Sequence, residues 1–289
     1  MKLNKNQFSI IILAFFASLG AGIYLTHLND RVQSNQRDRL VRDVVFSQAA
    51  AIEKHLSRAM AATYILAQEV RRNRGDFPHF EDYAQQVLDS VGGISNLQLA
   101  PAGVISHIHP LVGNEKAIGH NILVDDKRRN EAHQAIEKKQ LTLAGPFTLI
   151  QGGIGVIGRN PVFIKTANGE EFWGFVSALV FLDDLLSSTD LSVLESTGYS
   201  YSLSRQHPDT GEKDVFARSK SALSLHAQRW DIDVYNAMWH LSMSSTHSHN
   251  RASGYAISFL FSMLQLRSNA DPEVVVATRS ALVQRDADV

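Results

Sequence analysis

Apolar residues fall along the chain in three regimes: an unbroken N-terminal run, a seven-residue repeat over residues 45–70 within a stretch free of Pro and Gly, and short alternating runs after that. From residue 6 to residue 29 there is no Asp, Glu, Lys or Arg, and Phe8, Ile10, Ile11, Ile12, Leu13, Phe15, Phe16, Leu19, Ile23, Tyr24, Leu25 and Leu28 dominate. As a helix at 1.5 Å per residue this stretch reaches about 36 Å, enough to cross a hydrocarbon core of about 30 Å. It reads as a transmembrane helix. A cleaved signal peptide is the competing reading, because Lys2 and Lys5 form a basic start and Ala17, Ser18, Gly20 and Ala21 offer small residues for cleavage. Lys2 and Lys5 on one flank and Arg31, Arg37, Arg39 and Arg42 on the other leave the orientation open.

Residues 29–73 contain neither Pro nor Gly, and Val45, Ala49, Ile52, Leu56, Ala59, Thr63, Leu66 and Val70 recur at alternating steps of four and three. Such a stripe marks one continuously buried helix face. A helix of some forty residues spans about 60 Å, so it must pack on something along its length. Two partners fit: the domain's own core, or a second copy in a parallel homodimer through this stalk helix. Gly75 is placed as the C′ residue that ends it, with Pro78 just beyond.

Residues 79–91 put Phe80, Tyr83, Val87 and Val91 on one helical face. Alternation then predicts strands at 94–100 and 104–109 around a Pro101-Ala-Gly103 turn, a β-hairpin. A polar helix at 125–139 is followed by strands at 141–149, 155–164 and 172–181, and a second set at 199–204, 214–218 and 231–243. The order predicts an α+β fold with antiparallel sheets.

Composition narrows the chemistry. Lys+Arg 28 against Asp+Glu 29 gives no field to attract nucleic acid, and the absence of Cys removes disulfides, thiolate nucleophiles and cysteine-held metals. Gly153-Ile-Gly155-Val-Ile-Gly158 matches a dinucleotide fingerprint, but Pro161 and the β-branched and aromatic residues after it predict strand where a phosphate-binding helix should open. His107 with His109, and His247 with His249, each pair two imidazoles without a third ligand at a telling distance. No hydrolase, zincin or P-loop signature occurs, so neither catalysis nor a cofactor or metal is expected. Gly152-Gly153 is read as the tip of a strand-to-strand turn, either plain hairpin geometry or the edge of a small-ligand cavity.

Residues 96–106 (Asn96-Leu-Gln-Leu-Ala-Pro-Ala-Gly-Val-Ile-Ser106), Pro110-Leu-Val-Gly113, Ala117-Ile-Gly119-His-Asn-Ile-Leu123, Gly145-Pro-Phe147, Gly152-Gly153 and Pro161-Val-Phe163 resemble the CHASE domain. That family is the extracytoplasmic sensor of bacterial cyclases and histidine kinases and of plant cytokinin receptors. The resemblance covers about residues 46–245 and is sharpest over 94–165. It implies a transmembrane anchor at 1–29, a long stalk helix at 30–76, a membrane-distal PAS-like ligand-binding subdomain at 77–188 and a membrane-proximal PAS-like subdomain at 189–245. Residues 246–289 are then a short apolar segment with a polar tail. The resemblance also places the sensor outside the cytoplasm, periplasmic on an inner (plasma) membrane, with signal output in a separate cytoplasmic domain. This sequence departs from the pattern at its C-terminal end, where the uncharged run 252–266 covers only about 22 Å as a helix.

If the family's pocket is kept, Phe147, Ile150, Gly155, Ile157, Arg159 and Phe163 line it. Aligned on Gly145-Pro-Phe147, the acidic residue with which hormone-binding members read a purine falls near Arg128, and a contacting hydroxyl falls on Arg159. Both positions are basic here, which favours an anionic small-molecule ligand. A structural ion pair of Arg159 with Asp125, Asp126 or Glu131 is the alternative. For the whole chain the expectation is a membrane-anchored sensor, and the alternative is a non-sensing scaffold that pairs with a full-length receptor.

Overall fold

The computed structural model describes residues 5–125, 129–167, 169–208, 210–246, 255–260 and 262–264. The chain divides into two units, Met1–Leu40 with His247–Val289, and Val41–Thr246. One helix, α1 (Lys5–Arg72), runs through both, so no break separates anchor from stalk at residues 29 and 30. Arg74, at φ +54°, takes the left-handed C′ place expected of Gly75, and the Gly75 N–H returns to the Val70 carbonyl at 2.8 Å, closing the helix end.

In the first unit α1 exposes Ile10, Leu13, Phe16, Ile23 and Leu25, and among the described residues it is the one helix long and apolar enough to cross a membrane. A short apolar helix, Tyr255–Leu264, lies against it. Ser18 Oγ donates to Ser262 Oγ at 3.2 Å, the Thr26 and Ser258 hydroxyls share a hydrogen bond at 3.2 Å, and a Cβ on Gly22 would lie 2.9 Å from Ser258 Cβ. Small residues one turn apart let two helix backbones approach closely, and their hydroxyls add polar contacts. Part of the apolar run at 252–266 thus has its described contacts here.

The second unit is built on α1 from residue 41 onward. After α2 (Phe80–Val91) come β1 (Asn96–Pro101), β2 (His107–His109), α3 (Arg129–Lys138), β3 (Thr142–Thr148), β4 (Ile154–Thr166) and β5 (Gly169–Phe181). These strands form one antiparallel sheet in the order β2-β1-β5-β4-β3, so Gly153–Gly158 runs from a turn into a strand. Two six-residue helices not expected from the sequence, α4 (Leu182–Ser187) and α5 (Leu191–Ser196), lead to a second antiparallel sheet. It contains β6 (Tyr199–Gln206), β7 (Lys213–Arg218), β8 (Gln228–Val234) and β9 (Ala237–Ser245) in the order β7-β6-β9-β8. The single strand expected at 231–243 is a hairpin: Tyr235 turns at φ +58°, and Asn236 Oδ1 accepts from the Leu143 N–H at 2.6 Å.

The stripe predicted on α1 is buried along its whole length: Val45, Ala49, Ile52, Leu56, Ala59, Thr63, Leu66 and Val70 are at most 1% exposed. All of them except Thr63 share one hydrophobic cluster with Leu97, Leu99, Val156 and Val176 of the first sheet and Leu203, Trp239 and Leu241 of the second. Of the two partners open to this stripe, the chain's own core is the one it meets here. The side chains that would meet a second copy already fill the chain's own core, and a partner would have to use another face. Met60 fixes the approach to the first sheet, because an added Cβ at Gly158 on β4 would lie 1.8 Å from Met60 Sδ. Gly158→Ala is therefore expected to cost about 1–3 kcal/mol by overpacking. Met60→Ala should relieve it, so urea melts of the double variant should show less loss than the two single variants summed.

Candidate functional site

Alternation along each strand gives the first sheet two different faces. Leu97, Leu99, Val156, Val176, Ala178 and Val180 face α1, whereas Gln98, Ile157, Arg159, Ser177 and Leu179 occupy the other face, beneath residues 102–125 and the β3–β4 turn. That second face is closed over as well: Gln98, Arg159 and Ser177 are at most 2% exposed.

A cavity of about 20 Å³ remains between this face and its cover, room for about one water molecule. Ile105, Ile122, Leu149 and Ile157 supply apolar walls, and four polar side chains converge on it: Gln98 from β1, His120 from the cover, Gln151 from the turn and Arg159 from β4. A chain of amides positions three of these elements. Gln98 Nε2 donates to Asn96 Oδ1 at 2.8 Å, Asn96 Nδ2 to Asn114 Oδ1 at 2.9 Å, and Gln151 Nε2 to the same Asn114 oxygen at 3.2 Å. Asn114 Nδ2 in turn donates to the Pro110 carbonyl at 2.9 Å, so the cover is tied both to β1 and to the Gly152-Gly153 turn. His120 Nε2 stands 3.1 Å from Asp125 Oδ2, which fixes the imidazole at the cavity edge.

Of the residues expected to bind ligand, Ile150, Ile157 and Arg159 line the cavity together. Phe147 packs beside it in a cluster with Leu149, Ile157 and Leu179. Gly155 makes room instead of contact, since a Cβ there would meet Leu149 Cδ1 at 3.0 Å. Phe163 lies on the same face of β4 but outside the cavity: it pairs with Phe172 across a register shift in which β5 carries the extra residue Trp173, and its ring stacks edge-on with Phe172 and lies 4.7 Å from the Lys139 ammonium. The same ammonium, bonded to Glu170 at 2.5 Å, holds that carboxyl below its ordinary value. Arg128, His247 and His249 lie outside the described residues, as does Asp126. His107 Nδ1 is 2.9 Å from Ser106 Oγ, and His109 Nε2 is 2.9 Å from Gln85 Oε1. Among the described residues no group of three or more His, Asp or Glu could hold a metal ion.

Asn96, Gln98, Asn114, His120 and Gln151 are the site residues that the sequence reading missed. In β1 the polar alternates Asn96 and Gln98 read as a solvent face, and only the cover at 102–125 makes that face interior. The recurring polar-apolar alternation gives no sign that a loop folds back over it.

A guanidinium buried among isoleucines, with side-chain amides and an imidazole around one cavity, can hold a small anion. Arg159 keeps its charge at any physiological pH and offers five N–H donors in a fork matched to a carboxylate or phosphate. The family profile described as the CHASE domain matches residues 26–212. No curated protein matches the chain. Among solved structures, an extracellular ligand binding receptor from Desulfohalobium retbaense DSM5692 aligns with a TM-score of 0.54 at 14% identity. The alignment covers 69% of this chain and 39% of that one, and it supports likeness of fold.

Proposed function

Because the chain belongs to the CHASE domain family, an extracellular sensor family, we propose that it is the membrane-anchored, periplasmic input module of a signalling receptor and that it holds a small anion against Arg159. The observation that carries this reading is the placement of Arg159, 1% exposed, at a cavity lined besides by apolar side chains, the Gln98 and Gln151 amides and the His120 imidazole. Anchoring through residues 6–29 is supported by the exposed apolar surface of α1 there, and the packing of Tyr255–Leu264 on that segment fits a second helix within the same bilayer. Output then belongs to a cytoplasmic domain beyond this region, of the cyclase or kinase type.

The PAS-like reading of both sheets draws support from their strand orders. In the first, β1 lies between β2 and β5, its own first strand between the second and the last. In the second, β6 lies between β7 and β9, again the first strand between the second and the last. The sheets therefore follow one plan, with one strand fewer in the second.

The cavity as it stands takes about one water, so binding requires the cover and the turn to part, and the amide contacts through Asn114 are what hold them together. The test is a thermal-shift series on the purified full chain in detergent with small mono- and dicarboxylates, inorganic phosphate and neutral amides of matched size. A saturable rise in Tm confined to anions is expected, about 2.7 kcal/mol of added stability at a hundredfold excess over Kd. A response to the neutral amides alone, or to nothing in the series, would overturn the anion assignment.

A further inference from the structure

A second cavity, of about 230 Å³, lies on the opposite face of the same sheet, where α1 ends and α2 begins. Phe77, Phe80 and Trp173 supply aromatic walls, and the charged side chains lining it are Asp76 and Glu81, with His107 beside them and no Lys or Arg. We propose that this is a binding site for a small organic ammonium ion, separate from the anion cavity and independent of it.

Three observations carry the assignment. The first is the wall: Phe77 and Phe80 are 9% and 2% exposed, and their rings meet edge to face at 5.7 Å. Phe80 also meets the His107 ring at 5.8 Å, so the aromatic surface is held rigid. Aromatic faces attract cations through their quadrupoles, and ammonium groups with an apolar body suit them best.

The second is the sign of the charge. Neither the Asp76 nor the Glu81 carboxylate has a hydrogen bond or ion pair to another described residue, although each borders the cavity. An acidic residue in the first turn of a helix is ordinary, and Asp82 beside Glu81 serves that role without lining the cavity. The C-terminal end of α1 and the N-terminal end of α2 meet here with opposite partial charges, and Arg71, Arg72 and Arg74 at the end of α1 do not line the cavity, so the charged groups that border it directly are the two carboxylates.

The third is the close construction of the floor. Gly75 sits at φ +94° against the Trp173 indole, whose Nε1 would lie 2.4 Å from an added Cβ. No larger residue could leave the indole at the cavity edge, and the space is thereby fixed between the end of α1 and β5.

The test is calorimetric titration of the full chain in detergent with choline and 2-phenylethylamine, each against its uncharged counterpart, 3,3-dimethyl-1-butanol and 2-phenylethanol. At least one ammonium probe should saturate, with its uncharged counterpart at least about tenfold weaker. The Asp76→Asn, Glu81→Gln double variant should weaken ammonium binding by about tenfold or more while keeping the parent Tm, and Arg159→Ala should leave it unchanged. Saturation by neither ammonium, equal binding of the uncharged counterpart, or indifference to the double variant would each overturn the proposal. Loss of ammonium binding in Arg159→Ala would move the probe to the other cavity and overturn it too. Because anion and ammonium are titrated separately, failure here leaves the anion reading standing, and the converse holds as well.

Discussion

Leu66→Asp is expected to abolish the folded sensor domain, whereas Ile65→Asp, one position earlier on the same helix, should leave it intact. Leu66 is fully buried in the cluster that joins α1 to both sheets, and Ile65 is 41% exposed. Removing a buried leucine costs about 2–5 kcal/mol, and an unpaired buried carboxylate adds several more or must take up a proton. Together these approach the roughly 5–15 kcal/mol that holds a domain folded. Circular dichroism and protease resistance of the purified variants would decide it. If Leu66→Asp were recovered as a folded monomer from a dimeric parent, the stripe would be a seam between copies and the core assignment would fall.

The second large effect is expected at Arg159. Arg159→Ala should lower affinity for any anion that stabilises the parent by about a hundredfold, the usual consequence of deleting one partner of a buried charge pair. Arg159→Lys should recover part of it, since a lysine keeps the charge and loses the two-pronged geometry. The measurement is the ligand dependence of Tm for the three proteins. Unchanged affinity with a fall of several degrees in unliganded Tm would make Arg159 a structural ion-pair residue, and Glu131, buried on α3, would then be the acidic group to examine next.

Much of the scaffold was legible in the pattern of apolar positions. The absence of Pro and Gly from 29 to 73 foretold an unbroken helix, and alternation foretold the five strands of the first sheet, because a strand with one buried face repeats every second residue. Burial is all that periodicity reports, however. The heptad stripe showed that a face was covered and not by what, and the cover proved to be the chain's own sheets. The hairpin within 231–243 was missed for a different reason. Its turn uses Tyr235 and Asn236, without the Gly that normally announces a reversal, and a bulky residue at φ +58° is a rare choice. In the site, Ile157, Arg159 and Phe163 were placed together by the family resemblance; the first two line the cavity, while Phe163, on the same face of β4, lies farther along the strand under Lys139, a distance that alternation does not report. The polar partners Gln98 and Gln151 belong to contacts between segments far apart in sequence, and no local spacing encodes those.

Gly158 and Arg159 are neighbours on β4, one turned to Met60 of α1 and the other to the cavity on the opposite face. A single peptide link thus separates the site from the helix that continues toward the N-terminus. Met60 Sδ stands where a Cβ would, so the contact behind the strand is close. A shift of a few tenths of an ångström at the guanidinium is met behind the strand by the Met60 thioether, a flexible group that can yield before the α1 backbone has to move. In mechanical terms the strand is seated on the helix through a compliant washer, the Met60 side chain.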